Sequence, residues 1–367
     1  MPTSSNSVTE APGPLVTDNV ADKRSGHLHP LARYILVRAG ISVLLIFGVT
    51  LVTFTLANLV PADPAQAALG ERAASDPEIV AAYREARGLD KPLVTQYVVY
   101  VTNLFRGDLG TSTQTNNPVL TDLSVAFPAT AELALFIIVF SIVIGVGLGT
   151  WAALRQNRLS DQLFRAVSLI GISVPTFWLA LAAFYVFFYQ LRWAPGTGRL
   201  SAALQPPPHV TGMYTVDSLL AGQWATFGDA LAHLVLPGSV LILYTVGLLL
   251  RFSRSAVLDV LNQEYVLAAR AKGLRPSAVV FRYILRGASL PILTIVGLAF
   301  GSLLSGTVLT EQVFGWGGIG QYAYKSATTL DLPAVMGVGL VVGVVYIVTN
   351  FLIDVVYGVI DPRVRVQ

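Results

Sequence analysis

There is no cysteine in these 367 residues, which excludes disulfides, iron–sulfur clusters, thiolate zinc sites and cysteine nucleophiles. Charge is scarce as well. Asp, Glu, Lys and Arg make up 12% of the chain, against about 25% in soluble domains. No G-x-x-x-x-G-K-[ST], H-E-x-x-H or G-x-S-x-G pattern occurs. Of the four histidines, His27 and His29 lie in a polar tail, His209 follows three prolines and His233 opens an apolar run; none is joined by a carboxylate cluster. Loop and cap roles suit them better than metal ligation. Gly315-Trp316-Gly317-Gly318-Ile319-Gly320 fits G-x-G-x-x-G in form, but a dinucleotide fingerprint needs a preceding strand and a βαβ unit. Here it falls in a loop between apolar runs, which reads as a flexible, closely packed loop.

What remains is apolar: 54% hydrophobic residues and a mean hydropathy of +0.64. The length would allow two soluble domains; the distribution of apolar residues argues instead for one membrane-embedded, all-α unit. Runs at about 35–59, 129–154, 166–190, 230–251, 290–310 and 333–358 are each long enough to cross roughly 30 Å of hydrocarbon. The first is longer than a signal-peptide core of about 7–15 residues and leads into Val60-Pro61-Ala62-Asp63-Pro64 rather than a small-residue cleavage site. It is therefore expected to be a retained span. Residues 1–30 are polar, without apolar period, and read as a disordered tail preceding a 31–365 transmembrane unit.

Six spans put both termini on one side. Of the 24 Lys and Arg, 16 lie in the tail, the 155–165 and 251–286 segments and the C-terminus, leaving 8 in the opposite loops. The positive-inside rule predicts cytoplasmic termini, a cytoplasmic loop 252–288 and an extracytoplasmic loop 60–127. Within the latter, Asp76-Pro77-Glu78 and Gly88 predict a capped helix over 77–87. A second helix over 93–105 sets Val94, Tyr97, Val98, Val101, Leu104 and Phe105 on one face, for the membrane surface or neighbouring helices.

Mid-span ionisable groups are nearly absent: Glu132, Asp229 and His233 fall near outer ends and Asp354 near an inner one. Ion-coupled carriers keep such groups deep in the membrane, so a transporter of this kind draws its energy from elsewhere. The spacings Gly145/Gly149, Gly297/Gly301 and Gly339/Gly343 suit close helix packing rather than gating.

The loop after the fourth span is the most informative stretch. A helix is predicted to run from the span to Lys272 and stop at Gly273, with Pro276 free to start the next. Ala268 and Ala269 give it a small-residue surface that another protein can approach, and Glu264, Arg270 and Lys272 add polar contacts. The same residues also suit an amphipathic helix whose basic side chains meet anionic lipid. Physics alone leaves both open.

The segment Glu264-Tyr265-Val-Leu-Ala268-Ala269-Arg270-Ala-Lys272-Gly273-Leu274, followed by Leu285-Arg286-Gly-Ala-Ser-Leu-Pro291, resembles the EAA loop of binding-protein-dependent ABC importer permeases. Pro61-Ala62-Asp63-Pro64, Gly88-Leu-Asp-Lys-Pro-Leu93 with Gln96-Tyr97, Gly107-Asp-Leu-Gly110, Ile172-Ser-Val-Pro175-Thr-Phe177, Asn350-Phe-Leu-Ile-Asp354 and Asp361-Pro-Arg-Val-Arg365 are similar to the B-type permeases of its dipeptide/oligopeptide branch. The resemblance runs from about 33 to 365. Its departures are mild: Ala62 stands for the usual glycine, Glu264 for aspartate and Gly287 for asparagine. It implies a type I ABC importer permease fold with six transmembrane helices. It also implies pairing with a homologous second permease, two cytoplasmic ATPases and an extracytoplasmic substrate-binding protein. The chain itself would be non-catalytic and carry no cofactor, ATP and magnesium being held by the ATPases, and it would have no nucleic-acid partner. In that family Glu264, Tyr265, Ala268, Ala269, Arg270, Lys272 and Gly273 would belong to the ATPase-coupling loop. Peptide is the expected substrate; nickel chelates, glutathione, haem or short saccharides are the alternatives within the family. A stand-alone channel or secondary carrier would call for intramembrane charge pairs or ion-site motifs that the chain lacks; a non-transport scaffold is the third and weakest alternative.

Overall fold

In the computed structural model the described residues are 30–59, 69 and 75–360. The polar tail, Pro61-Ala62-Asp63-Pro64 and the closing Asp361–Arg365 segment lie outside them. The described residues are helical, with one isolated bridge between Thr111 and Pro118 and no strand. In chain order the helices are α1 (Pro30–Leu59), α2 (Pro77–Arg87), α3 (Leu93–Phe105) and α4 (Val119–Leu154). Next come α5 (Leu159–Ser173), α6 (Thr176–Gln190), α7 (Tyr214–Leu220), α8 (Trp224–Leu261) and α9 (Glu264–Ala271). In α10, Pro276–Val279, a π-helical turn Val280–Ile284 and Leu285–Gly306 run on as one. Then follow α11 (Val308–Phe314), α12 (Ile319–Thr328) and α13 (Leu332–Ile360). Helices α1, α4, α8, α10 and α13 are each long and apolar enough to cross a membrane, and α5 with α6 forms an apolar pair bent by 94°, which makes a sixth span if the two helices count as one.

That bend corrects the expectation of one straight span over 166–190. Proline disfavours helical backbone in the residue before it. Val174 sits at φ −83°, ψ 126°, and Pro175 is the N-cap from which α6 starts at Thr176. Other boundaries shift too. The second span begins at Val119, inside the stretch assigned to the outer loop, because Pro128 sits within α4 without ending it. The fourth reaches from Trp224 to Leu261. The fifth ends at Gly306, and the chain turns at Thr307 into α11 where a longer span was expected.

α8 is the central post, packed against α4, α5, α10 and α7. Its contacts explain the paired glycines. A Cβ on Gly145 would meet Leu249, and one on Gly149 would meet the Leu250 carbonyl and Ser253. Ile353 and Tyr346 of α13 sit on Gly297 and Gly301 of α10, while Thr53 and Val49 of α1 sit on Gly339 and Gly343. In every pair the missing side chain lets a neighbouring helix in, which is packing as expected. α1 leans chiefly on α13, with Arg38 and Asp354 paired at 3.0 Å.

The caps read from the sequence are present around α2. Asp76 Oδ1 accepts from the Glu78 N–H at 3.0 Å, and Gly88 closes the helix at φ +66°. α3 turns Tyr97 and Tyr100 onto Phe54 of α1, with Tyr97 and Thr50 hydroxyls 2.9 Å apart. Val94, Val98 and Phe105 remain exposed.

Candidate functional site

At one end of the bundle the chain leaves α8 through Asn262 and the extended Gln263 (φ −71°, ψ 144°) and enters the short helix α9. The expected continuous helix to Lys272 is therefore two helices. The reason is packing: Val266 and Ala269 are 0% and 3% exposed and join Val257, Ala256, Ala153, Val279, Ile284 and Ala288 in one apolar cluster. A straight continuation of α8 would carry both residues away from it. At the other end of α9, the Lys272 N–H donates to the Ala268 carbonyl at 3.1 Å and the Gly273 N–H to the Arg270 carbonyl at 2.9 Å. Gly273 has φ +72° with open space around its absent Cβ, so the left-handed backbone alone requires glycine there.

The seven predicted residues divide. Glu264, Tyr265, Ala268, Arg270, Lys272 and Gly273 are exposed on one ledge. Ala269 is not with them, which corrects its place on the approach surface; it lies three residues after Val266 on the inward face, and its small side chain seats α9 close to Val257 and Ile284. Tyr265 lies across Gly287, where a Cβ would meet its hydroxyl and Val260. That contact accounts for glycine at this position. Among the described residues no ion pair engages Glu264, Arg270 or Lys272. Two residues the sequence reading passed over complete the ledge: Leu267 at 52% exposed and Leu274 at 39%. Their signal was available, since the buried pair Val266/Ala269 leaves Leu267 on the opposite face of the same helix. The ledge is thus apolar at its centre and charged at its ends, the layout of a protein contact with a dry core and polar rim.

The opposite end of the bundle is closed by carboxylates held in hydrogen bonds, Glu132 and Glu311 buried and Asp229 partly so. Glu132 of α4 pairs with Arg199 at 2.6 Å and accepts from the Thr215 N–H and hydroxyl at 2.6 Å. The Arg199 guanidinium also covers the Tyr214 ring at 3.8 Å. Asp229 accepts from the Ser201 N–H and hydroxyl at 2.7 and 2.6 Å, with His233 Nδ1 3.3 Å away. Glu311 accepts from the Thr130 and Thr307 hydroxyls at 2.7 and 2.9 Å and from the Gln321 N–H at 3.0 Å. Burial pushes the Glu311 carboxyl above its usual range, and these hydrogen bonds pull it part of the way back. Beside it the glycine-rich motif is a fixed turn rather than a flexible loop. Trp316 is 2% exposed and its indole N–H donates to the Ala129 carbonyl at 2.8 Å. Gly315 and Gly317 take positive φ, and a Cβ on Gly318 would run into Thr130 and Glu311.

Asp217 gives this end a pH dependence. Burial alone would raise its carboxyl; hydrogen bonds from the Thr211 N–H and hydroxyl and the Gly212 and Val210 N–H groups outweigh that and hold it below the usual aspartate range. A lowered folded pKa stabilises at neutral pH, and the contribution is lost as pH falls through the ordinary aspartate range toward the folded value. Asp217→Asn should therefore raise protease cleavage of the 199–217 segment at pH 7 and flatten its rise in acid. Unchanged cleavage at both pH values would show that the carboxylate does not hold this segment.

The described residues thus form an all-helical, multi-span bundle with a short docked helix and an open ledge at one end. The chain belongs to the family of binding-protein-dependent transport system inner membrane components, matched over residues 145–366, with the family's N-terminal region matched over 31–134. It is accordingly a multi-pass inner-membrane permease of the ABC importer type. It is 44% identical over 322 residues to the probable D,D-dipeptide transport system permease protein DdpB of Escherichia coli K12, covering 88% of this chain and 94% of that protein. The di/tripeptide transport system permease protein DppB of Pseudomonas aeruginosa is 42% identical, covering 91% of this chain and 99% of its own length. DppB of Alkalihalophilus pseudofirmus is 38% identical over 87% and 95% respectively. Among solved structures, a chain of the inward-facing MetNI methionine ABC transporter aligns with 64% of this chain and 93% of its own at 17% identity, with a TM-score of 0.45.

Proposed function

We propose that this chain is the membrane subunit of an ATP-driven importer of di- or oligopeptides, forming half of the translocation path beside a homologous second permease. The observation that carries the reading is α9: a helix seated on its own core by Val266 and Ala269, presenting Leu267, Ala268 and Leu274 outward between Glu264, Arg270 and Lys272. A cytoplasmic ATPase subunit docks there. The chain itself hydrolyses nothing; ATP and magnesium belong to two ATPase subunits, and an extracytoplasmic binding protein delivers peptide to the far end. The names of the 38–44% identical relatives support a dipeptide class of substrate. The loops braced by Glu132, Asp217 and Glu311 supply a rigid platform for the binding protein, and exposed Val210 and Leu220 lie on it. The test is reconstitution of the complex in proteoliposomes. Labelled dipeptide should accumulate only with ATP and binding protein present, and accumulation without ATP would overturn the reading.

Orientation follows from charge, with the α9 end cytoplasmic. Ser255 and Gln114 are exposed at opposite ends, and the chain has no cysteine of its own. Single cysteines there are expected to react with an impermeant thiol reagent on intact spheroplasts at position 114 and not at 255. The reverse pattern would invert the topology.

A further inference from the structure

Helix α5 is fastened along α8 in antiparallel register at three points. Next to the α9 end, Asp161, 0% exposed, takes a two-pronged ion pair from Arg254: Nε to Oδ1 at 2.6 Å and the terminal nitrogen to Oδ2 at 2.8 Å. The Asn157 N–H adds a third donor at 3.1 Å. Two turns along, the Ser168 hydroxyl donates to the Gly247 carbonyl at 2.6 Å, and Gly247 has no room for a Cβ beneath Ser168. One turn further, Gly171 lies against the Leu243 carbonyl. Beyond that the fastening stops: at Val174–Pro175 the chain bends by 94° into α6. On the other side, Arg254 stands two turns before the end of α8, where Ala256 and Val257 enter the apolar cluster that seats α9.

We propose that the Asp161–Arg254 pair is a strut that makes α5 and the inner half of α8 one rigid body, carrying displacement of α9 to the bent span, which turns about Val174–Pro175. This rests on α9 being the ATPase's seat. A two-pronged guanidinium–carboxylate pair fixes direction as well as distance, which an apolar contact does not. Its burial keeps water from competing for the carboxylate. Arg254 and Asp161 are therefore positioning residues that touch neither peptide nor nucleotide.

A single substitution would leave a buried charge alone and could unfold the region, so the test removes both. In Asp161→Cys/Arg254→Cys, purified with its partner subunits, the ATPase should stay bound. Peptide moved per ATP should fall by about tenfold, within the usual range of a coupling free energy. Bridging the two cysteines with a short bis-methanethiosulfonate reagent should bring the ratio back to within about threefold of wild type, since a rigid body tolerates a covalent bond in place of a salt bridge. A merely stabilising role would lower the melting temperature and ATPase binding together with the ratio, whereas the strut lowers the ratio alone. Wild-type coupling in the unbridged variant, or loss of transport on bridging, would overturn the strut, the latter because α5 and α8 would then have to slide. Leu267→Asp separates this from the underlying reading: full ATPase binding in that variant would overturn the seat on α9, whatever the strut variant shows.

Discussion

Leu267→Asp is expected to leave the permease inserted and folded while stripping the ATPase subunits from the purified complex. Leu267 is half exposed at the middle of the α9 ledge, so the substitution disturbs little within this chain. In the complex it would place a carboxylate in the dry centre of an interface, where truncation of an anchoring side chain commonly costs about 2 kcal/mol or more. At that size the apparent dissociation constant rises about thirtyfold. Ala269→Asp, two residues on, should fail differently. Ala269 is 3% exposed against Val257 and Ile284, and an unpaired carboxylate there faces a desolvation penalty of several kcal/mol. That variant should show lower yield and a protease-sensitive 262–275 segment before any question of docking arises. Thermal unfolding and co-purification distinguish the two. Leu267→Asp that co-purifies with its ATPase would remove the ledge from the interface, and Ala269→Asp of wild-type stability would contradict the buried face of α9.

Glu132→Ala should be among the most destabilising changes at the far end of the bundle. Glu132 and Arg199 side chains are 4% and 9% exposed, and Glu132 also receives two hydrogen bonds from Thr215. Its removal leaves the guanidinium buried with the Gly212 carbonyl and the Tyr214 ring as remaining partners. Breaking one side of such a pair costs about 3–5 kcal/mol, whereas replacing both by apolar residues is often neutral. Glu132→Leu/Arg199→Met is accordingly expected to recover most of the melting temperature lost in Glu132→Ala, read from tryptophan fluorescence in detergent. A melt for Glu132→Ala that matches wild type would mean that the 199–217 segment is anchored elsewhere.

Membrane character, the five long apolar helices and the local stops and starts were legible in the residues themselves. Apolar runs must be helical where lipid offers no hydrogen bonds. Asp76, Gly88 and Gly273 act through neighbours only a few positions away, so a linear reading finds them. Even the bend at Val174–Pro175 carried a local signal in its proline, and the apolar run across it masked that signal. Other features had no local signal. The face of α9 that is buried depends on Ala153 and Ile284, which come from different spans. Asp161 meets Arg254 across 93 positions and Glu132 meets Arg199 across 67, so a loop aspartate and a span-end glutamate look alike in sequence until helix crossings bring their partners to them. Sequence set the elements because their hydrogen bonds and caps are satisfied within a turn or two. Tertiary structure decided which charges are paired and which face of α9 is left free, because those depend on contacts between helices far apart in the chain.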